Sequence, residues 1–181
     1  MQTKKAYFIM MRYLVLVAVG VLYPLLSLII LYLTLYPAYF LLNLIYEVSV
    51  SGYVLTVSGV EVGIVSACVA GSAYFLLLIL NLTTGMNSRK RVCSLFFSLL
   101  LLLVVNILRI FFFSILFVED FVYFDILHKF FWYFMSVLLV VFIWFLTVLV
   151  FKIRRIPVYS DLVFLFRNSV NEKNRENPYK K

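Results

Sequence analysis

The chain reads as an all-α integral membrane protein with about four transmembrane helices and a short outer β-like segment between the first and second. Three observations carry that expectation. Of 181 residues, 65% are hydrophobic and only 13% are charged, with a mean hydropathy of +1.08, which is too apolar for a water-soluble globule around one buried core. Four stretches are long enough to cross a hydrocarbon layer of about 30 Å, which takes about 20 residues because each backbone polar group must be paired within the helix. Finally, fourteen of the sixteen basic residues fall on one side of those four stretches.

The first span is expected from Tyr7 to Tyr36, with Pro24 near its middle; it is too long for a signal-peptide core and lacks a small-residue cleavage site. The segment from Pro37 to Val62 follows. Its first part, AYFLLNLIYEV, suits a helix lying in the interface, and its second part, VSVSGYVLTVSGVEV, alternates small polar and β-branched residues around Gly52 and Gly59, the pattern of a short hairpin. The second span is expected from Gly63 to Gly85, the third from Val92 to Val118 and the fourth from Ile126 to Phe151. Residues 1–151 thus form one membrane domain. Beyond it, 152–181 is a basic tail, in which KIRRIPVYSDLVFLFRNSV suits an interfacial helix and NEKNRENPYKK reads as disordered.

Orientation follows from the bases. Lys4, Lys5, Arg12, Arg89, Lys90, Arg91 and the tail share one side, whereas Glu47, Glu61, Glu119, Asp120 and Asp125 share the other with Lys129. Cytoplasmic loops retain Lys and Arg, so both termini are expected in the cytoplasm. The net charge of +8 then reflects topology and contact with anionic lipid, with no call for nucleic acid. One His and one outward Cys are too few ligands for a metal, and glycine loops for a phosphate cofactor are absent; no cofactor is expected.

Chemistry-bearing residues are rare in such a chain, and three recur near the outward ends of different spans. Arg109 lies about 13 Å inside the third span by helical rise. A guanidinium there costs about 2.5–3.5 kcal/mol on insertion scales and normally faces the bundle interior with a partner. Asn106 precedes it by three residues on the same helical face. Cys68 is flanked by Ser66, Ala67, Ala70, Gly71, Ser72 and Ala73, which allow another backbone to come close but equally suit plain helix packing. Under the expected topology Cys68 and Cys93 sit at opposite membrane faces and cannot form a disulfide, leaving Cys93 as a packing residue. His128 is the only histidine; imidazole is the side chain suited to general acid and base work, and Asp125 at i−3 is placed to orient it.

The order Cys, then Asn-x-x-Arg, then His on consecutive spans resembles the exosortase/archaeosortase family of membrane cysteine transpeptidases, in a compact archaeal branch of the pacearchaeosortase type. The carrying segments are SACVAGSAYFLLLILNLTTG, VVNILRI and DILHKF, within about Glu61 to Met135. The chain departs from the family pattern at Val69 and Ala70, between the cysteine and Gly71, and at Lys129, where a glycine often follows the histidine. The resemblance implies a Cys68 thioester, His128 as general acid and base, and Arg109 as oxyanion stabiliser or thiol activator, supported by Asn106 and Asp125. Its implied substrates are secreted proteins bearing a C-terminal motif, a hydrophobic helix and a basic tail, with water, a membrane lipid or another acceptor completing the reaction at the outer face. The alternative is a non-enzymatic four-helix assembly or transport component in which Arg109 pairs with Asp125 or Glu119.

Overall fold

A computed structural model describes residues 2–64 and 69–153. Cys68 lies outside the described residues, as does the tail from residue 154, with its expected interfacial helix and disordered end. The order of elements is α1 (Gln2–Val21), α2 (Tyr23–Leu42), β1 (Val48–Ser51), β2 (Val54–Val57), β3 (Val60–Gly63), α3 (Gly71–Thr83), α4 (Ser88–Val118), α5 (Phe124–Phe130), a π-helical turn (Phe131–Met135) and α6 (Ser136–Val150).

Among the described residues, three runs are long and apolar enough to cross a membrane: α2, α4, and the continuous stretch Phe124–Val150. Large apolar side chains such as Leu33, Phe112, Phe142 and Phe145 are exposed along them, a surface that suits lipid better than water. The first expected span is divided. α1 and α2 meet at Leu22, whose ψ of 4° departs from the helical value, and Pro24, which has no N–H to donate, enters the first turn of α2. Residues 38–42, expected as part of an interfacial helix, continue α2. The second expected span is shorter than expected: β3 ends at Gly63, and α3 has 13 residues, about 20 Å by rise. A fourth full crossing is therefore not established.

The segment between α2 and α3 contains a three-stranded antiparallel meander, β1-β2-β3, where the sequence suggested a single hairpin. Both connections have two residues. Ser58 and Gly59 take φ of 50° and 85°, the left-handed pair that matches the twist of a tight hairpin. Leu55 and Val57 turn to the same face of β2 and are fully buried against Leu31, Leu35, Ala38 and Leu42, the C-terminal half of α2, together with Val69 and Ile110.

α4 supplies the interior seam. Its buried residues are Ser94, Ser98, Leu102, Asn106, Ile110 and Ser114, a strict four-residue repeat that keeps one stripe of small and polar groups inward. α3 packs against α1, α4 and α6, with Tyr74, Leu77, Leu102, Val140 and Ile143 forming a second core cluster. Gly71 opens α3 beside Tyr23, whose hydroxyl lies 2.8 Å from where a Cβ would stand. At the other end of α3 the Thr84 carbonyl accepts from Arg91 Nη2 at 3.0 Å and Arg12 Nη1 at 3.4 Å, cations placed where the helix dipole is negative. The described charges divide accordingly, with Arg12, Arg89, Lys90, Arg91 and Lys152 toward one end and Glu47, Glu61, Glu119, Asp120 and Asp125 toward the sheet-bearing end.

Candidate functional site

The site grows from the α4 seam. Asn106 is 1% exposed, and its Nδ2 donates to the Val69 carbonyl at 3.2 Å, so a buried amide ties α4 to the residue bonded to Cys68. A turn further along α4, Arg109 points across the bundle, and its Nη1 donates to Ser136 Oγ at 3.1 Å. Ser136 Oγ donates in turn to the Phe131 carbonyl at 2.9 Å. That carbonyl also accepts the Ser136 backbone N–H, closing the π-helical turn. Such turns insert a residue into a helix and recur at functional sites. Here the turn lies between His128 and the bundle-spanning α6.

His128 sits on α5, half-buried, with its ring 5.5 Å from Phe124 in a stacked arrangement and 5.4 Å from Phe113. Phe113 also meets Phe131 at 5.3 Å. Because Phe113 follows Arg109 by one helical turn, it is the wall shared by the guanidinium and the imidazole. Arg109 and His128 both line a cavity of about 250 Å³ bounded by Glu61 to Gly63 of β3 and the following Ile64, Phe113 and Phe117 of α4, and Phe124, Phe131 and Trp132. On its other side Arg109 borders an apolar cavity of about 490 Å³ between α4 and α6, lined by Leu108, Phe112, Leu139 and Phe142 among others.

The expected residues divide clearly. Arg109 and His128 come together at one cavity, and Asn106 supports the segment leading from it. Cys68 lies outside the described residues, between Ile64, which lines the cavity, and Val69, which Asn106 holds. Asp125 does not orient His128: it is exposed in the first turn of α5 and, among the described residues, makes no hydrogen bond or ion pair. Its i−3 spacing was sound, but the aromatic rings occupy the imidazole's flanks. The alternative pairing of Arg109 with Asp125 or Glu119 is likewise absent. Glu119 accepts the Tyr46 hydroxyl at 2.7 Å, a bond to the neutral phenol that raises its pKa above the ordinary value.

Three residues escaped the sequence reading. Glu61 lines the same cavity from β3, Ser136 holds the guanidinium, and Tyr74 places within electrostatic reach of Arg109 a buried hydroxyl that has no hydrogen-bond partner among the described residues. Ser136 and Tyr74 are isolated polar groups in apolar runs, a weak signal available in principle. Nothing local marks Glu61, because its role depends on where β3 docks.

In a poorly hydrated cavity a fixed guanidinium stabilises developing negative charge more strongly than water would, and an imidazole gives or takes a proton at neutral pH. Among the described residues no three His, Cys, Asp or Glu side chains gather as metal ligands would. No family model matches the chain, and neither the curated proteins nor the solved structures contain a match.

Proposed function

We propose that the chain is a membrane cysteine transpeptidase or protease acting on secreted proteins with a C-terminal sorting signal. The supporting observation is that Arg109 and His128 share a cavity whose wall runs into Ile64, while Asn106 holds Val69 on the far side of the cysteine-bearing segment. In this reading the Cys68 thiol passes its proton to His128, and the thiolate adds to a substrate peptide carbonyl. Arg109 stabilises the oxyanion. As the C–N bond breaks, the His128 imidazolium protonates the leaving amine, and the acyl group remains as a thioester. An acceptor, water or a nucleophilic membrane component, then loses its proton to His128 and displaces the thiolate.

The deciding experiment is intact-mass analysis of the protein co-expressed with a secreted reporter ending in a motif, an apolar helix and a basic tail. An added acyl mass on the peptide containing Cys68, removed by hydroxylamine, is expected. Reporter processed without such an adduct, and unaffected by alkylation of Cys68, would exclude the mechanism. A non-enzymatic role is favoured by one observation, the Arg109–Ser136 bond that joins α4 to the π-helical turn, and it predicts no adduct.

The reading also requires the acidic, sheet-bearing end to face outward. With Cys68 and Cys93 replaced, an impermeant maleimide applied to intact cells is expected to label Ser51→Cys in β1 but not Ser88→Cys at the start of α4. The opposite pattern would put the cavity on the cytoplasmic side and remove secreted substrates from reach.

A further inference from the structure

The strand that walls the cavity has an open edge, and its register identifies which backbone groups lie there. β2 and β3 pair Val54 with Gly63, Leu55 with Val62, Thr56 with Glu61 and Val57 with Val60. The Ile64 N–H donates to the Tyr53 carbonyl at 2.9 Å, so Tyr53 and Ile64 form a hydrogen-bonded pair. Hydrogen-bonded pairs alternate in an antiparallel ladder, which makes Leu55–Val62 and Val57–Val60 the next two. Glu61 and Gly63 therefore turn their N–H and C=O groups away from β2. β3 is the last strand of the sheet, and among the described residues no backbone group pairs with that edge. Both residues line the cavity shared by Arg109 and His128.

We propose that an extended peptide segment of the substrate adds to β3 as a fourth strand and is thereby led to Arg109 and His128. The inference rests on the peptide-transfer reading and specifies how the peptide is held. Two residues at alternate positions each offer a donor and an acceptor about 6.8 Å apart, which is the two-residue repeat of an extended chain. An acyl chain has no groups to answer them. Gly63 leaves the approach clear: a Cβ there would meet nothing within 4 Å, so a neighbouring backbone can come close. Phe117, Phe124 and Trp132 supply an apolar wall for alternate side chains, and strand addition places the intervening ones toward solvent. Main-chain bonds would hold many sequences, with side-chain selection left to the aromatic wall.

The test uses the full chain carrying Cys68→Ala in lipid nanodiscs, so that binding is read apart from any acyl transfer. The probe is the pentapeptide acetyl-Thr-Leu-Thr-Leu-Thr-amide, and the protein is labelled with ¹⁵N-glycine, which gives amide signals from only 6 residues. Saturable binding is expected to slow hydrogen exchange at Gly63 by roughly tenfold or more while leaving Gly52 and Gly59 unchanged. N-methylation of either the Leu or the Thr amides should weaken binding at least about tenfold, whereas the other set should be tolerated, because only alternate amides face the edge. Gly63→Pro removes only the outward N–H and should abolish binding with β2–β3 pairing retained. Absence of saturable binding, unchanged exchange at Gly63, or equal binding of both methylated peptides would overturn the proposal. Peptide binding at this edge without a Cys68 adduct in the wild-type chain would retain the strand addition and discard the cysteine chemistry. A Cys68 adduct without edge protection would do the reverse.

Discussion

Replacing Cys68 with alanine is expected to reduce processing of a C-terminal sorting signal by more than about 10³-fold, to the background of the assay, while expression and membrane insertion remain normal. The proposed reaction passes through a bond between the sulfur and the substrate acyl group, and no neighbouring side chain can stand in for that atom. Alanine is small and apolar, so the exchange removes little more than the sulfur. Val69, bonded to Cys68, keeps its carbonyl on the buried Asn106 amide, a bond the substitution does not touch. Cys93→Ala is the control: this thiol is exposed on α4, where a substitution away from special features changes stability by about 0.5 kcal/mol or less. The measurement is the mass and membrane distribution of the reporter with each variant. Normal processing by Cys68→Ala would refute the transpeptidase reading and leave a structural role as the better account.

Arg109→Ala is expected to lower the processing rate by about 10²–10³-fold, the range seen when one oxyanion donor is removed. Arg109→Lys should be nearly as damaging. The guanidinium carries five donors in a planar fork, so it can bond Ser136 through Nη1 while lining the cavity with the rest of the group. An ammonium is a single point of charge and must choose between those positions. Burial in an apolar bundle also makes a lysine easier to neutralise than an arginine. Rates measured at saturating reporter separate this from weakened binding, because a group acting on the oxyanion lowers kcat with little effect on KM. Ser136→Ala supplies the structural comparison. It breaks the same bond to the π-helical turn but keeps the charge, and it should retain more activity than either arginine variant. Full activity in Arg109→Lys would show that charge alone suffices.

Much of the architecture was legible because the membrane constrains it strongly. A chain in which Lys, Arg, Asp and Glu are rare must place each of them deliberately, so the segregation of Arg89, Lys90 and Arg91 from Glu119, Asp120 and Asp125 foretold the two ends of the bundle. The same scarcity singled out Arg109, Asn106 and His128, and two of these line or adjoin one cavity as a polar group in an apolar helix would. The glycines at 52 and 59 foretold turns, because positive φ is costly for most other residues.

Hydrophobicity was less informative about where helices begin and break. α2 and α3 are apolar nearly all round, so the helical period there carries no contrast between a face toward lipid and a face toward protein. The late start of α3 lies where Tyr23 of α2 packs against Gly71, and the π-helical turn at Phe131–Met135 lies where Ser136 bonds both the Phe131 carbonyl and Arg109 of α4. Asp125 shows the limit at the level of one side chain. Spacing put it on the same face as His128, yet Phe113, contributed from α4, occupies the flank of the imidazole. What the sequence carried by itself was a helix-rich chain with runs long and apolar enough to cross a membrane, the segregation of bases from acids, and the few polar residues that stand out in those runs. Only the tertiary structure decided that β3 walls the cavity, that Glu61 joins Arg109 and His128 there, and that Ser136 and Tyr74 lie near the guanidinium. These juxtapositions join residues far apart in sequence, and they arise from how packed elements settle against one another, which no local pattern encodes.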